Sequence, residues 1–356
     1  MRFAGGPDIQ DSQLVEFVAR EYARGNHLVD AGPEIGLFWA TNISSIETHR
    51  PRPLQEGLQM LAKYGGISNH RHLADPSKQI EVEIPPHVLK ARKSFSYFCE
   101  LMGKKPARHM RDWHKVFLTG QSNEHLLDIA GPNTCLLSPR GSAKSTVLGL
   151  LLGWLIGRHA LSKKLLRILY VSYNVDVARN KSAAIKNLIC SKEYQEIFPC
   201  VRLSKMRTSD ELWSIDWDFA EVDIRGEDAF TVACAGLKGT ITSKRSSLIV
   251  VDDAIKSAAS IANPDIRREM ETNWTNVIVP TMFQGARAIA LGTRFHFDDL
   301  FATIFTEKKG WKCITQSALS YDDDGRPRSY WPEMWSAKYL LKLQADDRVA
   351  FSYQYL

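Results

Sequence analysis

The sequence predicts an α/β protein, a three-layer sandwich around a mostly parallel β-sheet, and three observations carry that prediction. Apolar segments typical of buried strands alternate with helical patterns after about residue 110. The apolar segment Thr134–Leu137 leads through a loop of small residues into a long apolar helix near Val147. A second segment, SLIVVDD at 247–253, ends in two carboxylates. Such alternation places helices on both faces of a sheet and ligands at the carboxyl ends of its strands.

The other elements of this region follow from the same periodicities. Further strands are predicted at 167–172, 219–224, 229–235, 248–251 and 286–291. Helices are predicted at 176–190 and 265–277, where apolar residues recur with helical spacing. The strands 167–172, 248–251 and 286–291 are almost wholly aliphatic, as is typical of parallel strands buried on both faces.

The N-terminal part of the chain has a different composition. Residues 1–110 hold eight of the fifteen prolines and only short helical patterns, at Gln10–Arg24 and Val88–Met102. Proline removes a backbone donor, so this composition predicts a mainly helical or irregular region outside the sheet. We therefore divide the chain into an N-terminal region (1–110), a core (111–318) and a C-terminal linker or lid segment (319–356).

Composition excludes several classes of protein. Hydrophobic residues make up 44% and charged residues 24% of the 356-residue chain, which is ordinary for a globular protein. The longest apolar stretch, Val147–Gly157, is too short to span a bilayer, and the first thirty residues do not resemble a secretory signal. The six cysteines show no paired spacing, which favours reduced thiols in a cytosol over disulfides or a zinc site.

The run SPRGSAKST at 138–146 predicts a phosphate-binding loop. Strand, loop, Lys, hydroxyl residue and helix is the order that cradles the phosphates of a nucleotide on backbone N–H groups. The usual glycines are replaced by Ser138 and Ala143, and we expect Ala143 to keep a negative φ. The predicted nucleotide-binding residues are Ser138, Pro139, Arg140, Gly141, Ser142, Ala143, Lys144, Ser145 and Thr146.

The two carboxylates that end SLIVVDD complete the predicted chemistry. Lys144 is expected to reach the β and γ phosphates, and the Ser145 hydroxyl to bind magnesium. Asp252 is the second predicted magnesium ligand. Asp253 is expected to polarise the attacking water, a role for which glutamate is commoner. Together the two motifs predict a P-loop ATPase that uses ATP and Mg²⁺.

Positive charge is concentrated between Leu151 and Asp210. This window holds eleven Lys and Arg residues against four acids, whereas the whole chain has a net charge of +6. Such a block favours contact with double-stranded DNA, because cations that neutralise phosphates supply most sequence-independent affinity. A solvated helix face is the alternative.

Several segments together resemble the large terminase subunits of tailed bacteriophages. They are SPRGSAKST, ILYVSYNVDVARNKSAAIKNLI (168–189), LWS (212–214), 236–253, ALGTRFHFDDL (290–300), WPEMWS and FSYQYL. The resemblance implies an ATPase of the additional-strand P-loop class that pumps DNA into a procapsid in the host cell cytoplasm. It also implies a homo-oligomeric ring, a pentamer in this family, on the portal protein, and a terminase small subunit as partner.

The resemblance assigns roles to Arg140 and Thr293, and the positions of four other residues suggest further ones. It makes Arg140 a γ-phosphate sensor in cis, with a simple salt bridge as the alternative, and Thr293 of GTR a coupling hydroxyl, with a strand-end turn as the alternative. Lys244 and Arg245 are candidates for a finger that reaches the ATP of a neighbouring subunit, or for DNA contacts. Trp113 and His114, upstream of the loop, are candidates to stack on adenine, with core packing of Trp113 as the alternative.

Two other functions stay open. The chain could be a P-loop ATPase of another DNA-processing branch, of helicase or recombination type, or a non-hydrolysing assembly module. The retained Lys144, Ser145, Asp252 and Asp253 weigh against the second. The nuclease domain that usually follows in terminases is expected to be absent, and Asp322–Gly325 is predicted to form a solvated turn and not a nuclease site.

Overall fold

The computed structural model describes residues 26–30, 37–41, 84–118, 132–162, 164–216, 230–239, 241, 244–306 and 310–355. By its contacts the chain divides into two units, Met1–Pro86 and His87–Leu356. The boundary comes earlier than residue 110, because helices that the composition grouped with the N-terminal region pack into the core of the second unit.

The first unit contains an antiparallel pair of strands, β1 (Asn26–Asp30) and β2 (Leu37–Thr41), with Leu28 opposite Trp39. The prediction of an N-terminal region outside any sheet is therefore wrong at these residues. Their β-branched and aromatic side chains favour strands, a local signal that the proline content of the region obscured. The predicted helix Gln10–Arg24 and the predicted strand Phe219–Ile224 lie outside the described residues.

The second unit is built on a sheet that, over the described residues, has eight strands. They are β3 (Asn133–Leu137), β4 (Ile168–Ser172), β5 (Leu203–Thr208), β6 (Leu212–Ile215), β7 (Val232–Gly236), β8 (Ser246–Asp252), β9 (Met282–Gly292) and β10 (Trp311–Thr315). Their order is β10-β3-β9-β8-β4-β7-β6-β5. The six strands from β10 to β7 pair in parallel, and β6 and β5 are added antiparallel at one edge. The mostly parallel sheet is confirmed.

Helices cover both faces of this sheet. They are α1 (Pro86–Lys93), α2 (Phe95–Leu101), α3 (Arg108–Phe117), α4 (Lys144–Leu161), α5 (Val175–Ile189), α6 (Lys192–Ile197) and α7 (Pro264–Asn273), and π-helical turns follow at Trp274–Ile278 and Phe301–Thr306. The helices α1 to α6 share one apolar core with alternate strand residues such as Leu136 and Val250. The intervening residues, such as Leu137 and Val251, pack against α7 and the π-helical turns. The three-layer sandwich is confirmed.

One strand separates the two predicted motifs. The strand β3 leads into the SPRGSAKST loop, β8 ends at Asp252, and β9 lies between them, paired in parallel with both. A strand inserted at this place is the arrangement expected of the additional-strand class of P-loop folds, which the family resemblance implies. The carboxyl ends of the three strands consequently meet at one edge of the sheet.

The central helix α4 is enclosed on nearly all sides. Fourteen of its eighteen residues are buried, as expected for a helix that is apolar all round. Glycines let it approach its neighbours closely: a Cβ at Gly153 would lie 2.6 Å from Leu188, and one at Gly157 would lie 2.4 Å from the Phe198 ring. The SPRGSAKST loop is therefore attached to the most deeply buried of the described helices of the unit.

The C-terminal segment forms a small cluster of its own. The strands β11 (Leu319–Tyr321) and β12 (Pro327–Ser329) make a hairpin, followed by α8 (Ala337–Asp346) and α9 (Arg348–Tyr355). Ala318, Leu319, Leu340 and Phe351 are its buried apolar residues. Asp322 lies in the hairpin turn, where its carboxylate accepts hydrogen bonds from Arg326 N and the Arg328 side chain.

Among the helices of the described residues, none has both the length and the apolar composition needed to cross a bilayer.

We expect the glycines of α4 to respond oppositely to alanine. Gly157→Ala should lower the free energy of unfolding by about 1–3 kcal/mol, because its Cβ would overlap the buried Phe198 ring. Gly149→Ala is the matched control: its Cβ would meet only Ile185, at 4.0 Å, so helix propensity should stabilise the chain by up to about 1 kcal/mol. Denaturant unfolding measures both, and equal effects of the two substitutions would contradict the packing described.

Candidate nucleotide-binding site

A cavity of about 490 Å³ opens at the carboxyl ends of β3, β8 and β9. That volume lies within the range of small-molecule sites. Its lining includes the loop and helix residues Arg140 to Thr146, together with Tyr173, Val177, Asp253, Ile255, Lys256, Thr293 and Phe295. The fold thus brings residues from both sequence motifs and from GTR to one cavity.

The loop that enters α4 presents backbone N–H groups to this cavity. No side chain caps the N-terminus of α4, and the first N–H groups of a helix have no partner within it. Ala143, at the N-cap, has φ +64° and ψ +20°, so the expectation of a negative φ is wrong. A left-handed residue followed by helical ones turns successive N–H groups toward one point, which is the geometry of an anion-binding nest.

Lys144 lies at the centre of the site with its side chain buried. Its Nζ is 3.4 Å from Thr293 Oγ1 and 3.4 Å from Asp253 Oδ1. Both distances are long for hydrogen bonds, so the ammonium group is held loosely between a hydroxyl and a half-exposed carboxylate. Such an ammonium group is available to an anion that enters the cavity.

Asp252 lies behind Ser145 and is almost fully buried. Its Oδ1 accepts a hydrogen bond from Ser145 Oγ at 3.0 Å, and its Oδ2 accepts one from Tyr170 OH at 2.7 Å. Burial, and next the charge of Asp253, raise the pKa of the Asp252 carboxyl, and the two hydroxyl donors act in the opposite direction. A buried carboxylate of this kind gains most from a nearby cation.

The Asp253 carboxylate faces the cavity because the backbone turns at this residue. In a strand, successive side chains point to opposite faces, which would separate it from Asp252. Asp253 has φ +45°, and its N–H donates to Leu291 O at 3.0 Å on β9. This left-handed turn places the two carboxylates at the same end of β8, one buried behind Ser145 and one lining the cavity.

The donor set of Ser145 and Asp252 fits magnesium. Both supply hard oxygen ligands, and their side-chain oxygens lie 3.0 Å apart. Among the described residues, no cluster of three or more His, Cys, Asp or Glu could hold a metal by itself. Magnesium in nucleotide sites is commonly held by one or two protein oxygens together with substrate phosphates. The site therefore matches a metal that arrives with its nucleotide.

Arg140 lines the cavity from the opposite wall. Its Nη2 donates to Lys256 O at 3.2 Å, and its guanidinium group lies 5.7 Å from the centre of the Phe295 ring. The contact is thus with a carbonyl and a ring face and not with a carboxylate. The salt bridge considered as an alternative for Arg140 is absent from the contacts described.

Thr293 follows β9 and is held in a structured loop. Its hydroxyl donates to Ser138 O at 3.4 Å, which links GTR to the phosphate-binding loop. The next residues are fixed by the fully buried carboxylate of Asp299, which accepts hydrogen bonds from Phe295 N, His296 N and Ala302 N. Asp299 is not among the predicted site residues, although the motif FHFDDL that contains it offered a signal.

Four other predicted residues lie away from the cavity lining. Arg245 is exposed just before β8, and the strand of seven residues places it about 20 Å from Asp252. Neither Lys244 nor Arg245 lines the cavity. Trp113 is fully buried and packs edge-on against His109, and His114 accepts or donates a hydrogen bond with Ser96. Stacking of adenine on Trp113 is therefore wrong, because the ring has no exposed face.

The C-terminal segment touches the phosphate-binding loop directly. Arg140 N donates to Gln354 O at 3.1 Å, and Trp335 Nε1 lies 3.4 Å from Gly141 O. A Cβ at Gly141 would lie only 2.7 Å from the Trp335 ring, and Gly141 also has φ +75°. Sequence patterns gave no sign of these contacts, because the partners are about two hundred residues apart.

The basic block is only partly available to a polyanion. Arg158 and Arg167 are buried, the former stacked on Trp154 and the latter near Phe283. Arg179 pairs with Glu211 and Asp176, and Lys186 pairs with Asp210 at 2.9 Å. The exposed cations of the block, within the described residues, are Lys164, Lys192, Arg202 and Lys205.

Comparison with solved structures found matches among phage proteins. A mutant of the large terminase ATPase domain of Thermus phage P74-26 matches with TM-score 0.44 and 12% identity, over 74% of this chain and 98% of that one. The bacteriophage HK97 large terminase matches with TM-score 0.39 and 13% identity, over 70% of this chain and 46% of that one. This chain thus spans less than half the length of the HK97 protein. A scan against protein-family models and a search of curated proteins found no match.

We expect Ala143→Gly to stabilise the chain. Alanine in a left-handed conformation costs about 1–2 kcal/mol, and glycine avoids this cost but loses about 0.4–1 kcal/mol through the freedom of the unfolded chain. The net gain in the free energy of unfolding should be about 0.5–1 kcal/mol. Ala143→Val, which adds β-branching at the same φ, should destabilise, and denaturant unfolding of the three proteins gives the comparison. A less stable Ala143→Gly would contradict the left-handed assignment.

We expect Asp252→Asn to stabilise the nucleotide-free chain at neutral pH. Because the folded-state pKa of this carboxyl is raised, the ionised form costs stability above that pKa. The cost disappears as the pH falls through the raised pKa toward the unfolded value of about 3.9, so the advantage of asparagine should shrink in the same window. Thermal unfolding between pH 7 and pH 4 measures this. The control is Asp112→Asn, an exposed carboxylate, whose substitution should change stability by less than about 0.5 kcal/mol.

Proposed function

We propose that this chain is the ATP-hydrolysing motor of a tailed-phage terminase and moves double-stranded DNA into a procapsid in the host cell cytoplasm. The observation that carries the ATPase part is the convergence of Lys144, Thr293 and Asp253 on one cavity, with Ser145 and Asp252 hydrogen-bonded at its edge. The DNA-packaging part is supported by the family resemblance of the motifs.

Each residue has a distinct task in this proposal. The N–H groups at the start of α4 and the Lys144 ammonium bind the phosphates of ATP. Ser145 and Asp252 hold the magnesium ion, which when bound neutralises charge that develops on the phosphates. Asp253 accepts a hydrogen bond from the attacking water and orients it.

Arg140 and Thr293, which both line the cavity, are the residues proposed to sense the γ phosphate. Arg140, tied to Lys256 O, supplies positive charge near the phosphates from the same subunit. Thr293 connects Lys144 to Ser138 O, so a change in the position of the lysine is transmitted to the loop that Asp299 holds. This is the route by which phosphate loss would reach other parts of the motor.

The remaining parts of the proposal concern the assembly. Arg245 lies too far from Asp252 to act on its own subunit, so a catalytic role for it requires a neighbouring subunit in a homo-oligomeric ring, a pentamer by family resemblance. Lys164, Lys192, Arg202 and Lys205 are the proposed DNA contacts of the basic block. The portal protein and a terminase small subunit are the other proposed partners, and no nuclease activity is proposed for these residues.

The test of the ATPase is turnover by the purified chain and by two variants. Lys144→Ala should abolish turnover, and Asp253→Asn should keep nucleotide binding but lower turnover by at least about a hundredfold. Lys115→Ala, which replaces an exposed lysine outside the cavity lining, is the control. This variant should hydrolyse ATP like the unsubstituted chain. Turnover by Lys144→Ala at the unsubstituted rate would exclude the proposed site.

The effect of DNA on ATP turnover distinguishes a packaging motor from an assembly module that does not hydrolyse ATP. Duplex DNA should stimulate turnover, and the combined charge reversal of Lys192, Arg202 and Lys205 should remove that stimulation without changing basal turnover. A motor of helicase type, the alternative, should instead prefer single-stranded DNA and separate strands. Import of DNA into cognate procapsids would support the packaging motor over the assembly module and the helicase-type motor, provided that Lys144→Ala abolishes the import.

A further inference from the structure

A buried tyrosine stands behind the magnesium ligand, and neither sequence motif includes it. Tyr170 is the third residue of β4 and is 1% exposed. Its hydroxyl donates to Asp252 Oδ2 at 2.7 Å, the shorter of the two side-chain hydrogen bonds to that carboxylate. The same face of the sheet is otherwise apolar around it, with Ile168, Leu248 and Val250 as neighbours.

The strand register explains how this contact arises. Tyr170 is opposite Val250 on β8, and Ser172 is opposite Asp252. Because side chains alternate with a period of two, Val250 and Asp252 share a face, and the long side chain of Tyr170 reaches diagonally to the second of them. Ser172 Oγ donates to Asp252 O at 2.7 Å and fixes the backbone at the same point.

Each of the two hydroxyl groups donates to a different oxygen of the Asp252 carboxylate. Tyr170 occupies Oδ2, and Ser145 occupies Oδ1, so rotation of the carboxylate about its last bond would break one bond or both. A carboxylate fixed in this way presents one oxygen to the Ser145 side, where the metal of the proposed function would lie. Partners that orient a metal ligand commonly account for about 10–100-fold in metal affinity.

We propose that Tyr170 is a positioning residue for magnesium: it holds Asp252 so that Oδ1 faces Ser145 and the incoming Mg²⁺–nucleotide. The inference rests on the proposed nucleotide site and extends it by a residue from a neighbouring strand. Tyr170 itself touches neither nucleotide nor metal.

The experiment replaces the hydroxyl and nothing else. Tyr170→Phe removes the donor, and Tyr194→Phe is the matched control, because Tyr194 is equally buried. Its hydroxyl donates to Gly153 O at 2.8 Å, about 12 Å along α4 from Ser145. Binding of the fluorescent analogue mant-ADP is measured against increasing MgCl₂ and again in EDTA. Thermal unfolding monitors the loss of stability that both variants share.

Tyr170→Phe should raise the half-saturating Mg²⁺ concentration about tenfold and leave the affinity in EDTA unchanged. Tyr194→Phe should change neither quantity. In the Asp252→Asn background, Tyr170→Phe should have no further effect on Mg²⁺ dependence, because the residue through which it acts has been altered. Should Tyr170→Phe not fold, Tyr170→Met, an adaptable apolar side chain without a donor, takes its place.

Three outcomes would overturn the inference, and they differ from one another. An unchanged Mg²⁺ half-saturation in folded Tyr170→Phe would show that Tyr170 is only a core residue, while the nucleotide site stands. Absence of mant-ADP binding by the unsubstituted chain, with or without Mg²⁺, would remove the proposed function and the inference together. An equal shift in Tyr194→Phe would mean that general destabilisation, and not positioning, causes the effect.

Discussion

The whole site depends on one carboxyl group held out of water at the end of β8. Asp252 is buried there with Ser145 and Tyr170 as hydrogen-bond donors, and these come from α4 and β4. The carboxylate therefore ties together the helix that starts at the phosphate-binding loop and two neighbouring strands. A carboxylate buried in this way is costly for folding when it is ionised, and it is well suited to receive a cation. The buried Asp252 carboxylate thus favours cation binding but lowers the stability of the fold.

The elements of the core could be predicted because each carries a strong local signal. The aliphatic runs of β4 and β8 are buried on both faces, as parallel strands are, and the helix that follows the loop is apolar all round. The convergence of Lys144, Ser145 and Asp252 also followed from sequence, since the fold class places the carboxyl ends of these strands together. Local pattern and global fold agree throughout this region.

Features that depend on long-range packing could not be predicted. The positive φ of Ala143 and of Asp253 belongs to the folded backbone, and the sequence shows only an alanine and an aspartate. Tyr170 looks like an ordinary core residue of a strand until its register with β8 is known. Arg167 was counted as part of a cationic surface, yet it is buried. The contacts of Trp335 and Gln354 with the loop likewise join parts of the chain that no periodicity connects.

The burial of α4 has a mechanical consequence. A helix enclosed along nearly its whole length, with Leu188 and the Phe198 ring directly against its glycines, cannot tilt or slide without opening the core. Its backbone amides should accordingly be among the slowest in the chain to exchange with solvent. In the proposed motor, the predicted phosphate-binding loop is then the stationary part, and the displacement that moves a load has to be carried by the elements around it.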